Sequence, residues 1–489
     1  MKIALIGPKW NELVNSYPPL GLGYLAAVAE QEGHEVRIHD MGLRPTVPVA
    51  EDVKAVLDFK PDLVAFTSMT TSYYSVEQAA RIVKEALGVP VVIGGPHATS
   101  LPEQTIADPN YDFLVYGEGE ETWRELLQAL VAKDDRYERI PGLWFKREGR
   151  VIRNAERPLI PDLDQLPFPA RHLYELDQYP LYAPDGSPML TVLSSRGCPY
   201  ACSFCFKGIV GRTYRQRSPQ NIFAELEQIH QTYGVRNFYF IDDLFTIDVR
   251  RLEAILDYFI ARGSQFRWRC LARVDRVNPN LLRKMYQAGC RQIHYGIESG
   301  NPEILKATAK HINLDQVRRA VAWTVEAGIR AKGYFILGLP GDTEATMEDT
   351  IAFAESLDLD EAMFSIATPF PGTRLWDELV RQRPGTVYNA DFTKSYYYNS
   401  YISEIAPFMN VSNVGDDVLG RKAIEARRRF LAAKARRRYY RYFGPRLGEI
   451  AYRLSRVRVI KAIARRALNM GLFPRFRALK PRGEAEAWA

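Results

Sequence analysis

The stretch 194–207, SSRGCPYACSFCFK, decides how the chain is read. It follows a short apolar run, Thr191-Val192-Leu193, and places Cys198, Cys202 and Cys205 at C-x3-C-x2-C spacing. Three thiolates on one tight loop after a strand can each ligate one iron of a cubane cluster. With no fourth cysteine nearby, one iron keeps an open coordination position, and an open iron can bind substrate. Two other readings of these residues are a zinc site and three unrelated buried thiols. Structural zinc sites want four ligands, usually as two close pairs, and no further Cys or His lies nearby to complete one. Cys270 and Cys290 fall in candidate strand or helix-end segments and read as core thiols.

Outward from this loop, strand–helix alternation runs from about 189 to 385. Candidate strands are Thr191-Val192-Leu193 and residues 237–241, 266–271, 292–296, 332–337 and 362–366, a spacing that suggests an incomplete parallel barrel. Residues 1–134 show a separate alternation. Its apolar runs begin at Ile3, Glu35, Leu63, Val91 and Phe113, and helical patterns such as 75–87 lie between them. Such a pattern predicts a parallel sheet covered on both faces, with ligands at the carboxyl ends of its strands. Residues 135–188 read as a connector. IPGLWFKREGRVI suits a hairpin there, and PDLDQLPFPAR is too proline-rich for a helix. Residues 386–489 read as a helical, Arg-rich region.

The chain has 489 residues, 46% apolar and 25% charged, a balance for two or three globular domains. That excludes a disordered chain, a collagen-like fibre and a small disulfide scaffold. MKIALIGP lacks the features of a secretory signal and no run is long enough to span a membrane, so the expected compartment is the cytoplasm. The net charge of +7 conceals an asymmetry. From Arg421 onward there are 21 Lys and Arg against four acidic residues, which leaves the first 420 residues with 44 basic and 54 acidic groups.

The run Cys198-x3-Cys202-x-Phe204-Cys205 resembles the defining motif of the radical S-adenosylmethionine enzymes, including the aromatic residue before the last cysteine. The resemblance implies a 4Fe-4S cluster on the three cysteines and S-adenosylmethionine chelated to the open iron. It also implies reductive cleavage of that molecule to a 5′-deoxyadenosyl radical, with electrons from a small reductant protein, a flavodoxin or ferredoxin. By the same resemblance Asp242 and Asp243, ending the second barrel strand, meet the methionyl amino group. Arg273, with Asp275, follows the third strand. Glu298 and Ser299 meet the ribose and carboxylate, and Gly338-Leu339-Pro340-Gly341 lies near the adenine.

The N-terminal layout is similar to the cobalamin-binding domain that precedes the barrel in one branch of that family, the class containing the radical methyltransferases. The matching pieces include Leu20 and Gly21 within PPLGLG, Ser68 with Thr70 after the third strand, and Gly94-Gly95-Pro96-His97 after the fourth. Gly117-Glu118-Gly119-Glu120 follows the fifth. Glycines there permit close backbone approach to a planar macrocycle and its nucleotide tail. The D-x-H-x-x-G signature of the well-known cobalamin modules is absent: the corresponding residues are His39-Asp40-Met41-Gly42. The expectation is therefore cobalamin bound with its own base displaced and no histidine on cobalt, and His97 as a donor in the cofactor loop. A flavodoxin-like domain that binds no corrin is the bland alternative.

The tail repeats apolar residues at Ile450, Leu454, Val457, Ile460, Ala464 and Leu468, with Arg453, Arg456, Lys461 and Arg465 among them. A basic amphipathic helix of this kind either packs on the barrel or lies on an anionic membrane surface. Few aromatics flank the clusters at 427–429 and 436–438, which argues against nucleic acid. Tyr396-Tyr397-Tyr398 stand at either the substrate entrance or the connector. The whole reading is a cobalamin-dependent radical enzyme, most simply one that methylates an unactivated carbon of an unidentified substrate. The alternatives are a non-methylating cyclisation or rearrangement and an RNA modification.

Overall fold

The computed structural model describes residues 1–9, 17–263, 265–386, 390–392 and 407–456. The N-terminal apolar runs form strands β1 (Lys2–Gly7), β2 (Glu35–Asp40), β3 (Leu63–Thr67), β4 (Val91–Gly94) and β5 (Phe113–Val115). They pair in parallel in the order β2-β1-β3-β4-β5. Alternate side chains feed two apolar cores, one on each face. Ile3, Leu5 and Val92 enter one, and Ala4, Ile6, Val64 and Ile93 enter the other.

The hairpin assigned above to the connector belongs to this sheet. β6 (Leu143–Arg147) pairs antiparallel with β5, and β7 (Arg150–Arg153) pairs with β6, giving seven strands. Burial explains the extension: Leu143 and Phe145 are fully covered and complete the core beneath helix Glu120–Ala132.

The rest of the connector is packed, not loose. Ile160, Leu163 and Leu166 sit between Leu20 and Tyr24 of helix Leu20–Gln31 and the barrel residues Leu193 and Ile241. The Tyr174 hydroxyl donates to the Pro19 carbonyl at 2.7 Å, and the Tyr179 hydroxyl to Asp40 at 2.9 Å. Behind them the buried Glu225 carboxylate binds Arg171 of the connector at 2.6 Å and also Arg217. Burial pushes that carboxyl up, and the two guanidiniums outweigh it, leaving it below its ordinary value.

β8 (Met189–Val192), β11 (Asn237–Phe240), β12 (Arg267–Ala272), β13 (Cys290–Glu298), β14 (Arg330–Leu337) and β15 (Glu361–Ile366) form the six-stranded parallel sheet of an open barrel. A two-stranded ribbon, β9 (Ser195–Arg196) with β10 (Arg215–Gln216), stands beyond β8 and carries the cysteine loop. Cys270 and Cys290 are buried in the outer core, as expected of core thiols.

Helix Asp416–Ser455, kinked at Gly444 (φ 71°) ahead of Pro445, lies on the barrel. Leu419, Ala423, Ala426 and Phe430 fill its buried face. Its arginines serve the same contact. Arg429 bridges to Glu355 at 2.6 Å and also to Glu348, Lys422 reaches Glu348 at 3.2 Å, and Arg441 pairs with Asp358. The charge asymmetry of the sequence is thus partly internal: basic tail meets acidic barrel. Arg429 and Arg437, one from each cluster, are turned onto the barrel rather than offered to phosphate. Ile450 and Leu454 are exposed, while the tail from Val457 onward and Tyr396-Tyr397-Tyr398 lie outside the described residues. No helix of the described residues is long and apolar enough to cross a membrane.

Candidate active site

The cysteine loop is held at both ends. Asp242, at the end of β11, accepts the Ser194 N–H at 2.7 Å and the Ser195 hydroxyl at 2.6 Å, along with the Ser194 hydroxyl. Arg251 donates to the Ser194 carbonyl at 2.7 Å. Burial pushes the Asp242 carboxyl up despite these donors. Fully enclosed, Asp242 secures the strand that leads into the cysteines, which corrects its expected contact with a methionyl amino group. Its neighbour Asp243 is exposed, 3.3 Å from Lys207. At the entrance to the loop Gly197 has φ 85°, and a Cβ there would run into the Thr213 carbonyl. Only glycine fits that corner.

All three loop cysteines are free thiols. Cys202 faces Lys310, Glu298 and Arg273, while Cys205 faces Lys207 and Asp243; burial raises both thiols. Lysines beside each are suited to an anionic cluster. Among the described residues no three Cys, His, Asp or Glu groups converge on a single-ion site. Three thiolates on one loop, with Lys207 and Lys310 beside them, are the donors a cubane cluster takes, one thiolate to each of three irons. The donor set therefore fits the cluster. Arg273 lies 3.7 Å over the Tyr200 ring, Arg276 donates to the Tyr200 hydroxyl at 2.9 Å, and Ser203 N–H donates to the Thr308 carbonyl at 3.0 Å. Phe204 packs beside Ile304 and Leu339. Arg273 is thus a prop for the loop, itself paired with Asp275 at 2.8 Å.

Glu298 ends β13 with φ 67°, a conformation costly for a residue with a side chain. Its carboxylate is buried against Lys310 at 2.7 Å and folds over Gly296, whose missing Cβ makes the room. Ser299 does not share this site. Its hydroxyl meets Thr350 at 3.1 Å and accepts the Asn301 N–H at 3.1 Å, so it anchors the next helix instead. Gly338 likewise meets the Leu419 side chain of the C-terminal helix, with its N–H on Asp342.

At the carboxyl edge of the N-terminal sheet, Ser68 donates to the Gly94 carbonyl at 3.1 Å. Gly95 has φ 92°, with Thr67 and the Ser68 backbone where a Cβ would stand, so its need for glycine is met inside the protein. Pro96 opens the short helix that carries His97. That imidazole is buried, stacked on Tyr73 at 4.0 Å and 3.3 Å from the Thr70 hydroxyl; burial pushes it down to about 3. His39 is held by Asp52 at 3.0 Å, as expected of a hydrogen-bonding residue. Gly21 and Gly117 have open space where a side chain would project, and Leu20 is covered. The Thr71 hydroxyl is buried with no partner among the described residues. An orphan hydroxyl in the loop after β3, with glycines at 21 and 117 that face open space, fits a corrin with its nucleotide tail.

Glu118 and Glu120 do something else. Glu118 accepts Arg196 at 3.1 Å, Arg215 at 2.7 Å and the Ile160 N–H at 2.9 Å, and Glu120 takes the second nitrogen of Arg196. All four side chains are buried. Burial raises the Glu120 carboxyl and Arg196 more than reverses it. The loop after β5 is therefore clamped to the ribbon that bears the cysteines, which corrects the expected cofactor contacts of both glutamates. Gly119 lies between them, next to Val115 and Leu25. Arg196, Arg215, Gly197, Lys207 and Lys310 were not singled out by the sequence reading. Gly197 alone carried a local signal, a glycine just before the first cysteine.

Two family models match the chain: the radical SAM superfamily over residues 192–354 and the B12 binding domain over residues 11–127. An uncharacterized methyltransferase of Pyrococcus horikoshii is 38% identical over 385 residues, 77% of this chain and 83% of that protein. The cytidylyl-2-hydroxyethylphosphonate methyltransferase of Streptomyces wedmorensis is 29% identical, covering 78% of this chain and 82% of its own. Among solved structures, the radical S-adenosylmethionine methyltransferase TsrM from Kitasatospora setae, with cobalamin and a [4Fe-4S] cluster bound, shares the fold. Its TM-score is 0.66 at 21% identity, over 78% of each chain. The fold and site define a radical S-adenosylmethionine enzyme. The chain belongs to the cobalamin-binding branch of that superfamily, whose cofactors are a 4Fe-4S cluster, S-adenosylmethionine and cobalamin.

Gly197→Ala is expected to leave the far-ultraviolet circular dichroism unchanged while iron and sulfide per chain after anaerobic reconstitution fall by more than half. Full iron loading of the variant would contradict the strained-corner account.

Proposed function

We propose that the chain methylates an unactivated carbon of an organic substrate held between its two domains. The observation that carries this reading is the buried clamp, which fixes the cobalamin-domain loops against the cysteine loop. When bound, S-adenosylmethionine on the cluster supplies a hydrogen-abstracting radical, and the corrin supplies a transferable methyl group. Cys198, Cys202 and Cys205 hold the cluster, with Lys207 and Lys310 balancing its charge. Asp243, exposed beside Lys207, receives the methionyl amino group, and Glu298 faces the ribose. The buried interface keeps water from reactive species, and holding substrate and cofactors in register lowers the entropic part of the barrier. Ser68, Thr70 and Thr71 lie along the path of the corrin tail. A low-potential reductant is required, and a flavodoxin or ferredoxin supplies it. Contact of the basic stretch 450–472 with an anionic membrane surface is a reading that rests mostly on residues outside the described ones.

The names of the relatives support methyl transfer. Besides the two above, the hopanoid C-2 methylase of Rhodopseudomonas palustris is 28% identical over 396 residues. One observation favours a second reading, ring closure without methyl transfer. The anaerobic magnesium-protoporphyrin IX monomethyl ester cyclase of Cereibacter sphaeroides is 29% identical over 391 residues. Reconstituted enzyme given reductant, methyl-labelled S-adenosylmethionine and a metabolite extract of the source organism is expected to form 5′-deoxyadenosine and a product carrying the label on carbon. Deoxyadenosine with no labelled product would favour the cyclase reading.

The His97 ring is stacked on Tyr73 with its Nδ1 3.3 Å from the Thr70 hydroxyl, and His39 is engaged by Asp52, so we read both as held by the protein and neither as a cobalt ligand. The electron paramagnetic resonance spectrum of bound cob(II)alamin is expected to lack nitrogen superhyperfine splitting. A nitrogen triplet that disappears in His97→Gln would overturn this.

A further inference from the structure

Alternation along the barrel strands sorts their side chains onto two faces. Phe238, Trp268, Cys270, Ile293, Phe335 and Phe364 lie in the outer core. The residues between them therefore face the lumen, where a polar layer lies beside the apolar Met189, Leu271, Ile336 and Met363. Lys332 pairs with Glu361 at 3.0 Å, and Gln292 donates to the same carboxylate at 2.9 Å. His294 has its Nδ1 3.2 Å from the Tyr239 hydroxyl and 3.1 Å from that of Tyr334, with its Nε2 3.2 Å from the Gln292 carbonyl oxygen. Burial, reinforced by Lys332 and Arg269, holds this imidazole well below its ordinary range, so it is neutral.

Arg269 breaks the balance of this layer. Its guanidinium lies 4.3 Å over the Tyr239 ring, and its Nε is buried without a hydrogen-bond partner. Among the described residues no carboxylate stands within ion-pairing distance of it. Lys332 pairs with Glu361 and His294 is neutral, so the half-buried Arg269 feels Glu361 only through space and has no ion pair of its own among the described residues. A half-buried guanidinium whose Nε is unpartnered is retained at some cost until an anion pairs with it, and a guanidinium fits planar or tetrahedral oxyanions best. Four residues further along the same chain, roughly 13 Å at the strand rise, Arg273 stands at the rim beside Cys202.

We propose that Arg269 anchors an anionic oxygen group of the substrate, a carboxylate or a phosphate-type group, while the carbon to be changed lies toward the rim. This rests on the reading above of a radical enzyme acting on an organic substrate. The substrate is therefore an acid long enough to reach from the lumen to the cysteine loop. Tyr239 and Tyr334 flank the anion, and the Lys332–Glu361 pair closes the layer on the far side of His294.

The test is calorimetric titration of reconstituted holoenzyme with benzoate, phenylphosphonate and the neutral isostere benzamide at constant ionic strength. At least one acid is expected to bind about tenfold or more tightly than benzamide, as a charge-assisted contact implies. The acid that binds distinguishes a carboxylate from a phosphate-type group. Arg269→Met is expected to reduce acid binding to the benzamide level, and Arg269→Lys to retain part of it. Equal binding of acid and amide by the wild type, no acid binding, or undiminished acid binding by Arg269→Met would overturn the anchor. The wild-type comparison stands even if a variant fails to fold. Deoxyadenosine formation by the same holoenzyme preparation is scored separately. Its absence would sink the radical reading, not the anchor.

Discussion

Two carboxylates and two guanidiniums, buried together between the domains, are the contact on which the rest of the molecule depends. Glu118 and Glu120 come from the loop after β5 of the N-terminal sheet, and Arg196 and Arg215 from the ribbon that frames the cysteine loop. Burying four charges is expensive, and their mutual pairing offsets the cost only while the set is complete. Removing one partner from such a set typically costs about 3–5 kcal/mol, which makes the relative position of the domains hard to change. Arg196 is also two residues from Cys198. The same side chain that docks the domains therefore sets where the first thiol begins.

Around that contact the structure shows how rigidity is divided between the two halves. The barrel side invests in fixing its loop: Asp242 on Ser194 and Ser195, Arg273 on Tyr200, and Gly197 at a corner that admits no side chain. Glu298 is held in a left-handed conformation by its pair with Lys310. The N-terminal edge is built of small groups instead, with an unpartnered Thr71 hydroxyl and glycines facing open space. One side grips a small inorganic group; the other leaves room for a large planar one.

Much of this architecture was legible in the sequence, because strand runs and the cysteine spacing are local signals. All six barrel strands and the five parallel strands of the first sheet fall where periodicity put them. The sixth and seventh strands of the first sheet were seen as a hairpin, but their pairing partner was not, since edge pairing is settled by which core the hairpin completes. Side-chain roles were less legible. Glu118 and Glu120 sit in a glycine-rich loop of the kind that holds cofactors, and nothing nearby reveals that their partners are Arg196 and Arg215, 76 to 97 residues on. Asp242 and Ser299 were no more legible: each is adjacent to an acidic residue near the cysteines, Asp243 and Glu298, but is itself tied into the protein by its own hydrogen bonds. The tail read either as a helix packed on the barrel or as a surface for anions, and the first holds for Arg429, which lies against the acidic helix Glu344–Ser356.

The central claim is that this chain holds a cluster and a corrin at one fixed separation across the clamp. The most direct measurement is the dipolar coupling between the reduced cluster and bound cob(II)alamin by pulsed electron paramagnetic resonance. The account predicts one narrow distance in the wild type that broadens when Arg196 is replaced by Met. A broad distribution in the wild type, or an unchanged narrow one in the variant, would contradict it.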